Sequence, residues 1–333
     1  MQLDLFAGDP THGPPPPRDR RRGVAPAMVA EATRALARDL PPHLYLGTSS
    51  WSFPGWEGLV YDQLYSQSRL ARDGLSAYAQ HPLFRTVGVD RTHYAPVEAD
   101  VFASYAEAVP DDFRFLVKAH EACTLARYPE HPRYGRNAGR DNELFLDPDY
   151  ASEYVVRPLV RGLGRKAGPL VFQFAPQPLA WLGGAQGFAR RLHDFLARLP
   201  RGPLYAVEVR NRALLTPDYA RALADVGACP CINLLDRMPP PLVQWHLVDG
   251  ARAPALVARW MLTRGLNYDQ ARARYEPFNA VVDPDPAAIS ALAHLVRTCA
   301  ERPAYIIANN KAEGSAPLSL ARLAEALGDD VPF

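Results

Sequence analysis

The chain has 333 residues, of which 48% are hydrophobic and 22% charged, and its formal net charge is +1. This composition supports a large buried core, and the near-neutral charge excludes a protein that binds nucleic acid through bulk positive charge. No uninterrupted apolar stretch is long enough to cross a bilayer, and the acidic N-terminus lacks the features of a signal peptide, so we expect a cytoplasmic protein with no membrane partner.

The first residues resemble a docking peptide. Gln2, Leu3, Asp4, Leu5 and Phe6 match, position for position, the short peptide by which bacterial replication and repair proteins bind the sliding clamp, the ring that encircles DNA. Apolar side chains on a free tail can enter a surface pocket while the glutamine amide forms hydrogen bonds beside it. The alternatives are a disordered terminus and a plug packed on its own domain. The resemblance implies that the clamp, and through it DNA, are partners.

The segment that follows is predicted to be a spacer. Residues 8–17 include four consecutive prolines, which cannot form a helix and extend as a semi-rigid polyproline segment. A short arginine cluster at residues 18–22 comes next, and a helical pattern then runs from Val24 to Leu40 until two prolines end it. We therefore predict a disordered tail over 1–23, an N-terminal helix within 24–42 and a barrel over 43–333.

From His43 onward, short apolar strands alternate with helices. Eight strands are predicted: Leu44–Ser49, Phe84–Val89, Phe113–Lys118, Pro169–Phe174, Leu204–Val209, Cys229–Leu234, Ala255–Met261 and Ala304–Asn309. Three helix starts are marked by a capping side chain before a proline, at Asp147, Thr216 and Asp285. Eight such units predict an α/β fold of the (β/α)8 TIM-barrel type. An open doubly wound sheet is the alternative, but no glycine-rich phosphate turn follows the first strand.

Several motifs along this region resemble the YecE-like family, a TIM-barrel family with a domain of unknown function. The motifs are Gly47–Trp56, Phe113–Lys118, Gly168–Gln173, Ala206–Arg210 and Asn309–Asn310. The resemblance covers about Leu44 to Leu327. It implies a barrel with a polar pocket and a distant similarity to sugar isomerases and apurinic endonucleases, without an established reaction.

The chain departs from the family pattern on two strands. The second strand of typical members reads Thr-Val-Glu-Ile-Asn, whereas here Gly88 stands where the glutamate is expected and Asp90 replaces the asparagine. The seventh strand lacks the usual Arg-x-His-Gly ending. We therefore expect a subfamily whose substrate differs from that of the better-known members.

Lysine is scarce in this chain. Of 37 basic residues only Lys118, Lys166 and Lys311 are lysine, so a lysine that remains points to a need for lysine chemistry. Lys118 ends the third strand, where burial can lower the pKa of its ammonium enough for proton transfer or carbonyl attack. The alternative is a salt bridge to Glu208 or Asp90.

Other polar residues gather at predicted strand ends. Strand alternation places Glu208 and Arg210 on one face, as a functional pair or as a structural ion pair that closes the barrel. The predicted catalytic residues are Lys118, Glu208, Asp90 and Asp236. The predicted substrate-binding residues are Arg210, Gln173, Arg259, Asn309, Asn310, Lys311, Trp51 and Ser49, with phosphate or carboxylate expected in the turn after Asn310.

No metal site is assigned from the sequence, and the cofactor is left open. Asp90, His93, His120, Glu208 and Asp236 come from several strands and lack the paired spacing of metal ligands.

The loop between the third and fourth units mixes arginine with tyrosine. Arg127, Arg133, Arg136 and Arg140 interleave with Tyr128 and Tyr134, a mixture that grips phosphates and stacks on unpaired bases. A solvated surface loop is the alternative.

Together these features favour an enzyme of DNA repair or processing that the sliding clamp recruits and that acts on a phosphate- or sugar-bearing substrate. A second hypothesis is an isomerase or hydrolase of a small sugar or carboxylate, unrelated to DNA. A third is a non-catalytic partner that binds only the clamp or DNA.

Overall fold

A computed structural model describes residues 23–299 and 301–328 and forms a closed barrel of eight parallel strands. Each strand pairs with the next along the chain, and the last pairs with the first from Leu44–Ala304 to Thr48–Ala308. The strands are β1 Leu44–Thr48, β2 Thr86–Val89, β3 Arg114–Lys118, β4 Ala167–Phe174, β5 Leu204–Val209, β6 Cys229–Leu234, β7 Leu256–Trp260 and β8 Ala304–Ala308. The predicted TIM barrel and its eight strands are confirmed.

Helices surround the barrel. They are α1 Glu31–Asp39, α2 Gln67–Asp73, α3 Leu75–Tyr78, α4 Ala99–Glu107, α5 Pro148–Ala151, α6 Arg157–Leu163, α7 Leu179–Leu182, α8 Gly184–Arg198, α9 Pro217–Val226, α10 Pro241–Leu247, α11 Tyr268–Tyr275, α12 Pro286–Thr298 and α13 Ala316–Gly328. The three predicted caps are confirmed, because the side chains of Asp147, Thr216 and Asp285 each accept a hydrogen bond from a backbone N–H of the first helical turn. Within the described ranges, no helix is both long enough and apolar enough to cross a bilayer.

The first helix is shorter than predicted. Instead of starting at Val24, α1 begins at Glu31. Pro26 forms an isolated bridge with Tyr61, and the N–H of Ala27 donates to the carbonyl of Val60 at 2.9 Å. The stretch before α1 is therefore extended and attached to the barrel by pairing that the helical period does not reveal. The predicted docking peptide and spacer lie in residues 1–22, outside the described residues.

The barrel interior is built in layers. Its apolar layer is a buried cluster that includes Leu116, Val171, Ala206, Cys231, Val257 and Ile307. Because strand side chains alternate, the residue two positions later points to the same side. We call that next set the polar layer: Lys118, Gln173, Glu208, Asn233, Arg259 and Asn309. It lies at the carboxyl ends of the strands, where TIM-barrel enzymes form their active sites.

Candidate active site

A buried carboxylate organises the polar layer. The side chain of Glu208, on β5, has no solvent exposure. Its Oε1 accepts a hydrogen bond from Arg210 Nε at 2.6 Å, and its Oε2 accepts one from Arg259 Nη1 at 2.5 Å. Gln173 Oε1 accepts from the same two guanidinium groups, at 2.8 Å in each case. A ring of charge-assisted hydrogen bonds thus joins β4, β5 and β7.

The ring fixes the charge of its members. Burial alone raises the pKa of the Glu208 carboxyl, but the guanidinium groups of Arg210 and Arg259 outweigh it and lower that pKa to about 2. Burial opposes the charge of Arg259, yet Glu208 and Asp90 raise its pKa above the usual value. Glu208 is therefore ionised at neutral pH with both oxygens occupied. This is the geometry of an ion pair that closes the barrel, and a catalytic use of Glu208 stays a prediction.

A lysine and a second carboxylate lie beside this ring. Lys118, 1% exposed, places its Nζ 3.9 Å from Asp90 Oδ1, and Arg259 Nη2 lies 3.7 Å from the same oxygen. Of the two salt-bridge partners considered for Lys118, the structure therefore selects Asp90. Burial lowers the pKa of Lys118 to about 8, although the Asp90 carboxylate partly opposes this shift. The amine therefore exchanges its proton near physiological pH.

Asp90 connects the buried cluster with the solvent. Its side chain is 23% exposed, whereas its Oδ1 is buried and has no hydrogen-bond partner among the described residues. The cationic groups of Lys118 and Arg259, at 3.9 and 3.7 Å, offset part of the cost of burying this oxygen. Asp90 therefore lies at the boundary between the buried cluster and the solvent.

The close packing of β1 against β2 explains the glycines there. A Cβ on Gly47 would lie 1.9 Å from the carbonyl oxygen of Thr86, and a Cβ on Gly88 would lie 3.0 Å from that of Ser49. The inner position of Gly88 is thus filled by the backbone of the neighbouring strand. Asp90 follows the end of β2 in a helical backbone conformation, and its Oδ1 lies 3.9 Å from Lys118 Nζ.

The family model described as "Protein of unknown function DUF72" matches residues 45–332. The chain belongs to the DUF72 family. This is the family whose motifs the sequence resembles. A DUF72 family protein of Thermotoga maritima, solved at 2.20 Å, is 18% identical with a TM-score of 0.58, over 86% of this chain and 99% of that one.

A second solved DUF72 family protein, from Enterococcus faecalis at 3.10 Å, is 15% identical with a TM-score of 0.52, over 87% of this chain and 97% of that one. No curated protein is significantly similar in sequence to the chain. At these identities the solved relatives share the fold, and the chemistry of this DUF72 chain must be argued from its own residues.

The predicted residues after β8 are held by structural contacts. Asn309 Nδ2 donates to Ser49 Oγ at 3.0 Å, while its Oδ1 accepts from the backbone N–H of Lys311 at 3.0 Å. Asn310 is fully buried, and its Oδ1 accepts from Trp56 Nε1 at 3.2 Å. These side chains join β1 to the turn that precedes α13, and their contact with a substrate stays a prediction.

The third lysine lies under aromatic rings. Lys311 Nζ is 4.0 Å from the ring centroid of Tyr268 and 5.4 Å from that of Phe278. Burial, with a smaller effect of Arg272, lowers the pKa of Lys311 to about 8. The ammonium is thus held by cation–π contacts. Phosphate binding at Lys311 stays a prediction.

Two other predicted site residues lie apart from the cluster. Trp51 is 7% exposed, and its Nε1 donates to the carbonyl of Leu70 at 3.1 Å, which packs the ring against α2. Asp236 is exposed in the turn after β6. Within the described residues it forms no hydrogen bond or ion pair with the polar layer.

The arginine-rich loop is tied to the barrel by one of its arginines. Arg133 Nη2 donates to Glu121 Oε2 at 2.6 Å, and the same oxygen lies 3.7 Å from His93 Nε2. The guanidinium lies 4.5 Å from the ring centroid of Tyr134 and 5.4 Å from that of Tyr94. Arg133 therefore anchors the loop over the mouth. The sequence reasoning missed Tyr94 and Glu121, although both follow strand ends and so belong to the mouth in any TIM barrel.

The other three arginines face outward. Arg127 Nε donates to the carbonyl of Gly139 at 2.6 Å, and its guanidinium lies 5.4 Å from the ring of Trp181, which is 44% exposed. Arg136 and Arg140 are exposed. This surface combines exposed guanidinium groups with an exposed aromatic ring, and the sequence reasoning did not include Trp181 because it belongs to the next unit.

Two further features bear on ligands. Across residues 23–299 and 301–328, no group of three or more histidine, cysteine, aspartate or glutamate side chains could hold a metal ion. A groove of about 570 Å³ lies between α8 and α9, on the outside of the barrel, and none of its lining residues belongs to the polar layer. The candidate site is therefore the polar cluster at the mouth.

Proposed function

We propose that this DUF72 protein is an enzyme of DNA repair or processing that acts on a phosphate- or sugar-bearing substrate at the carboxyl ends of the barrel strands. The observation that carries this proposal is the pair formed by Lys118 and Asp90. A buried amine with a pKa of about 8 lies 3.9 Å from a carboxylate that reaches the solvent. Groups with such perturbed titration at a barrel mouth are typical of catalytic sites.

Each member of the cluster has a role in this proposal. Lys118 donates and accepts a proton near neutral pH, and Asp90 orients its ammonium. Arg210, whose side chain is 14% exposed, binds the anionic part of the substrate, while Glu208 and Gln173 hold its guanidinium in place.

Turnover by the purified protein tests this function. The substrates are an oligonucleotide with an abasic site and a set of sugar phosphates. We expect Lys118→Met and Asp90→Asn each to lower kcat by about 100-fold or more, the usual contribution of a general acid or base. Lys166→Arg, outside the cluster, is the matched control. Equal rates for all four proteins would remove the catalytic role of this site.

We further propose that the N-terminal peptide, including Gln2, Leu3, Leu5 and Phe6, brings the enzyme to DNA by docking on the sliding clamp. The support is its full-length resemblance to clamp-binding peptides. A binding assay against the purified clamp compares the wild type with Leu5→Ala/Phe6→Ala. Loss of binding confined to the double variant supports docking, whereas no binding by the wild type removes most of the case for DNA.

An isomerase or hydrolase of a small sugar or carboxylate is the second candidate. The favouring observation is that Arg133 is bound to Glu121 and two tyrosine rings, so this arginine supports the mouth rather than reaching outward for a nucleic-acid backbone. In that case deletion of residues 1–17 leaves cellular phenotypes unchanged. For a non-catalytic clamp or DNA partner, the Lys118 and Glu208 variants are harmless to function while Leu5→Ala/Phe6→Ala abolishes it.

A further inference from the structure

Two of the three lysines of this chain, Lys118 and Lys166, have contrasting surroundings. Lys166 Nζ donates to the carbonyl oxygens of Ala106 and Val109, at 2.8 and 2.7 Å, and lies 3.4 Å from Asp111. Within the described part of the chain, Lys118 Nζ has no hydrogen-bond acceptor, and its carboxylate partner lies at 3.9 Å. A lysine with only a structural role typically has its ammonium bound by hydrogen-bond acceptors, as in Lys166. The surroundings of Lys118 leave the lone pair of its nitrogen available when the amine is neutral.

We propose that Lys118 is a nucleophile that forms a Schiff base with the carbonyl carbon of a ring-opened sugar or sugar phosphate. This inference rests on the proposed function in taking the barrel mouth as the active site, and it narrows the substrate to compounds with a free aldehyde or ketone. It also assigns the reaction a covalent enzyme-bound stage. An abasic deoxyribose in DNA and a free aldose phosphate both belong to this class.

The geometry supplies the groups that the step requires. The neutral Lys118 amine attacks the carbonyl carbon, forming a C–N bond, and the carbonyl oxygen takes up a proton to give a carbinolamine. That proton passes from the nitrogen to the oxygen through Asp90, whose Oδ1 lies 3.9 Å from Nζ. A second proton, from solvent through the same carboxylate, lets the hydroxyl leave as water while the nitrogen lone pair forms the C=N bond of the iminium. Addition of water to the iminium reverses these bonds and releases the carbonyl compound, so no oxidant or reductant is consumed.

The charges around the amine favour its neutral form. Burial is the largest cause of the lowered pKa of Lys118, and Arg259 and Arg210 add to it. At pH 7 an amine of pKa about 8 has roughly 300 times more free base than one of pKa about 10.5. The same two guanidinium groups are held by Glu208 and remain near the site to meet a phosphate.

Reductive trapping tests the inference on the full chain. The protein is incubated with 2-deoxyribose 5-phosphate and sodium cyanoborohydride, and the adducts are mapped by peptide mass spectrometry. With three lysines, each site is read separately in one digest. We expect the adduct on Lys118 to exceed that on Lys166 by roughly tenfold or more, because the Lys166 Nζ is already bound by two backbone carbonyls. It should also exceed that on Lys311, whose Nζ is covered by the rings of Tyr268 and Phe278. The yield should rise as the pH increases towards about 8.

Variants sharpen the result. Lys118→Met should abolish the main adduct, Asp90→Asn should reduce it, and Lys166→Arg should leave it unchanged. An adduct spread evenly over the lysines, or none on Lys118, overturns the inference. Because the wild-type map alone decides this, misfolding of a variant does not weaken the test.

A second arm separates this inference from the proposed function. The trap is repeated with an oligonucleotide that contains an abasic site. Trapping of the free sugar phosphate without trapping of DNA supports the Schiff base and contradicts a DNA substrate. Turnover in the assay above without any trapped adduct supports the enzyme and overturns the Schiff base.

Discussion

At the scale of single residues, the cost of burying charge governs this site. Glu208 and Arg259 are no more than 1% exposed, and an ion taken from water into a protein interior loses several kcal/mol of hydration. Each is tolerated because the other completes its hydrogen bonds. The strength of the cluster is therefore conditional on every member being present.

Removal of the central carboxylate should be strongly destabilising. In Glu208→Gln the guanidinium groups of Arg210 and Arg259 lose their anion but stay buried, and we expect a loss of about 3–5 kcal/mol in the free energy of unfolding. Urea denaturation followed by circular dichroism measures it. The control is Glu153→Gln, which breaks an exposed pair with Arg157 and should cost no more than about 0.5 kcal/mol. Equal effects of the two substitutions would contradict this account.

Low pH should remove the contribution of the Glu208 carboxylate to the free energy of unfolding. The pKa of Glu208 is about 2 in the folded protein, against 4.5 for an ordinary glutamate. A lowered carboxyl pKa gives stability that is fully present above pH 4.5 and is lost as the pH falls towards 2, a total of about 3 kcal/mol. Unfolding free energies of the wild type and Glu208→Gln should therefore converge at low pH. A constant difference between them down to pH 2 would be evidence against the shifted pKa.

At the scale of elements, strand alternation explains why the cluster exists. On β3, β4, β5 and β7 an apolar inward residue is followed two positions later by a polar one, so four strands deliver their polar groups at one height. The close approach of β1 to β2, enforced by glycine, places Asp90 against them. Register between strands is thus as important for the site as the identity of the side chains.

Substitution of the contact glycine should disturb this register. In Gly47→Ala the new Cβ would lie 1.9 Å from the carbonyl oxygen of Thr86, which forces β1 and β2 apart. We expect a loss of about 1–3 kcal/mol or more in unfolding free energy. Gly23→Ala is the matched control, since nothing lies within 4 Å of its added Cβ. Thermal unfolding compares the two, and an unchanged midpoint for Gly47→Ala would contradict the close packing.

Several features of the fold and the candidate site could be predicted from the sequence because they depend on local sequence patterns. Alternation along β5 pairs Glu208 with Arg210, and capping chemistry marks the helix that starts after Asp285. Contacts between distant segments could not be predicted in this way. The ring of Tyr268 packs over Lys311, and Glu121 forms an ion pair with Arg133. Both contacts depend on how long loops fold back onto the barrel. The late start of α1 depends on pairing with residues 60–62, which a helical period does not encode.

At the scale of the whole molecule, the two ends of the barrel have different surfaces. The carboxyl end carries the polar layer, the anchored loop and the contact of the half-buried Arg127 with the exposed ring of Trp181. In the nucleic-acid hypothesis this face supplies stacking and phosphate contacts, because aromatic rings and guanidinium groups are the main partners of single strands. The amino end carries exposed ion pairs such as that of Arg165 with Asp111.

A binding experiment can separate the two faces. Arg136→Ala/Arg140→Ala should weaken the binding of single-stranded DNA and reduce the slope of log K against log salt by about 0.7 for each phosphate that the variant no longer neutralises. Arg165→Ala/Arg201→Ala removes the same charge at the opposite end of the barrel, since Arg201 is exposed in the turn before β5. Fluorescence anisotropy at several salt concentrations measures both. An equal weakening for the two pairs would indicate bulk electrostatics without a defined face.

The order of the ion ring along the chain has a consequence for protein synthesis. Arg210 follows Glu208 by two residues, whereas Arg259 comes 51 residues after that glutamate. While β6 and β7 are still being made, the nascent carboxylate already has a cationic neighbour from its own strand. The arrival of β7 then brings Arg259 Nη1 to the second oxygen of that carboxylate, Oε2, which completes the hydrogen bonds of Glu208 before β8 closes the barrel.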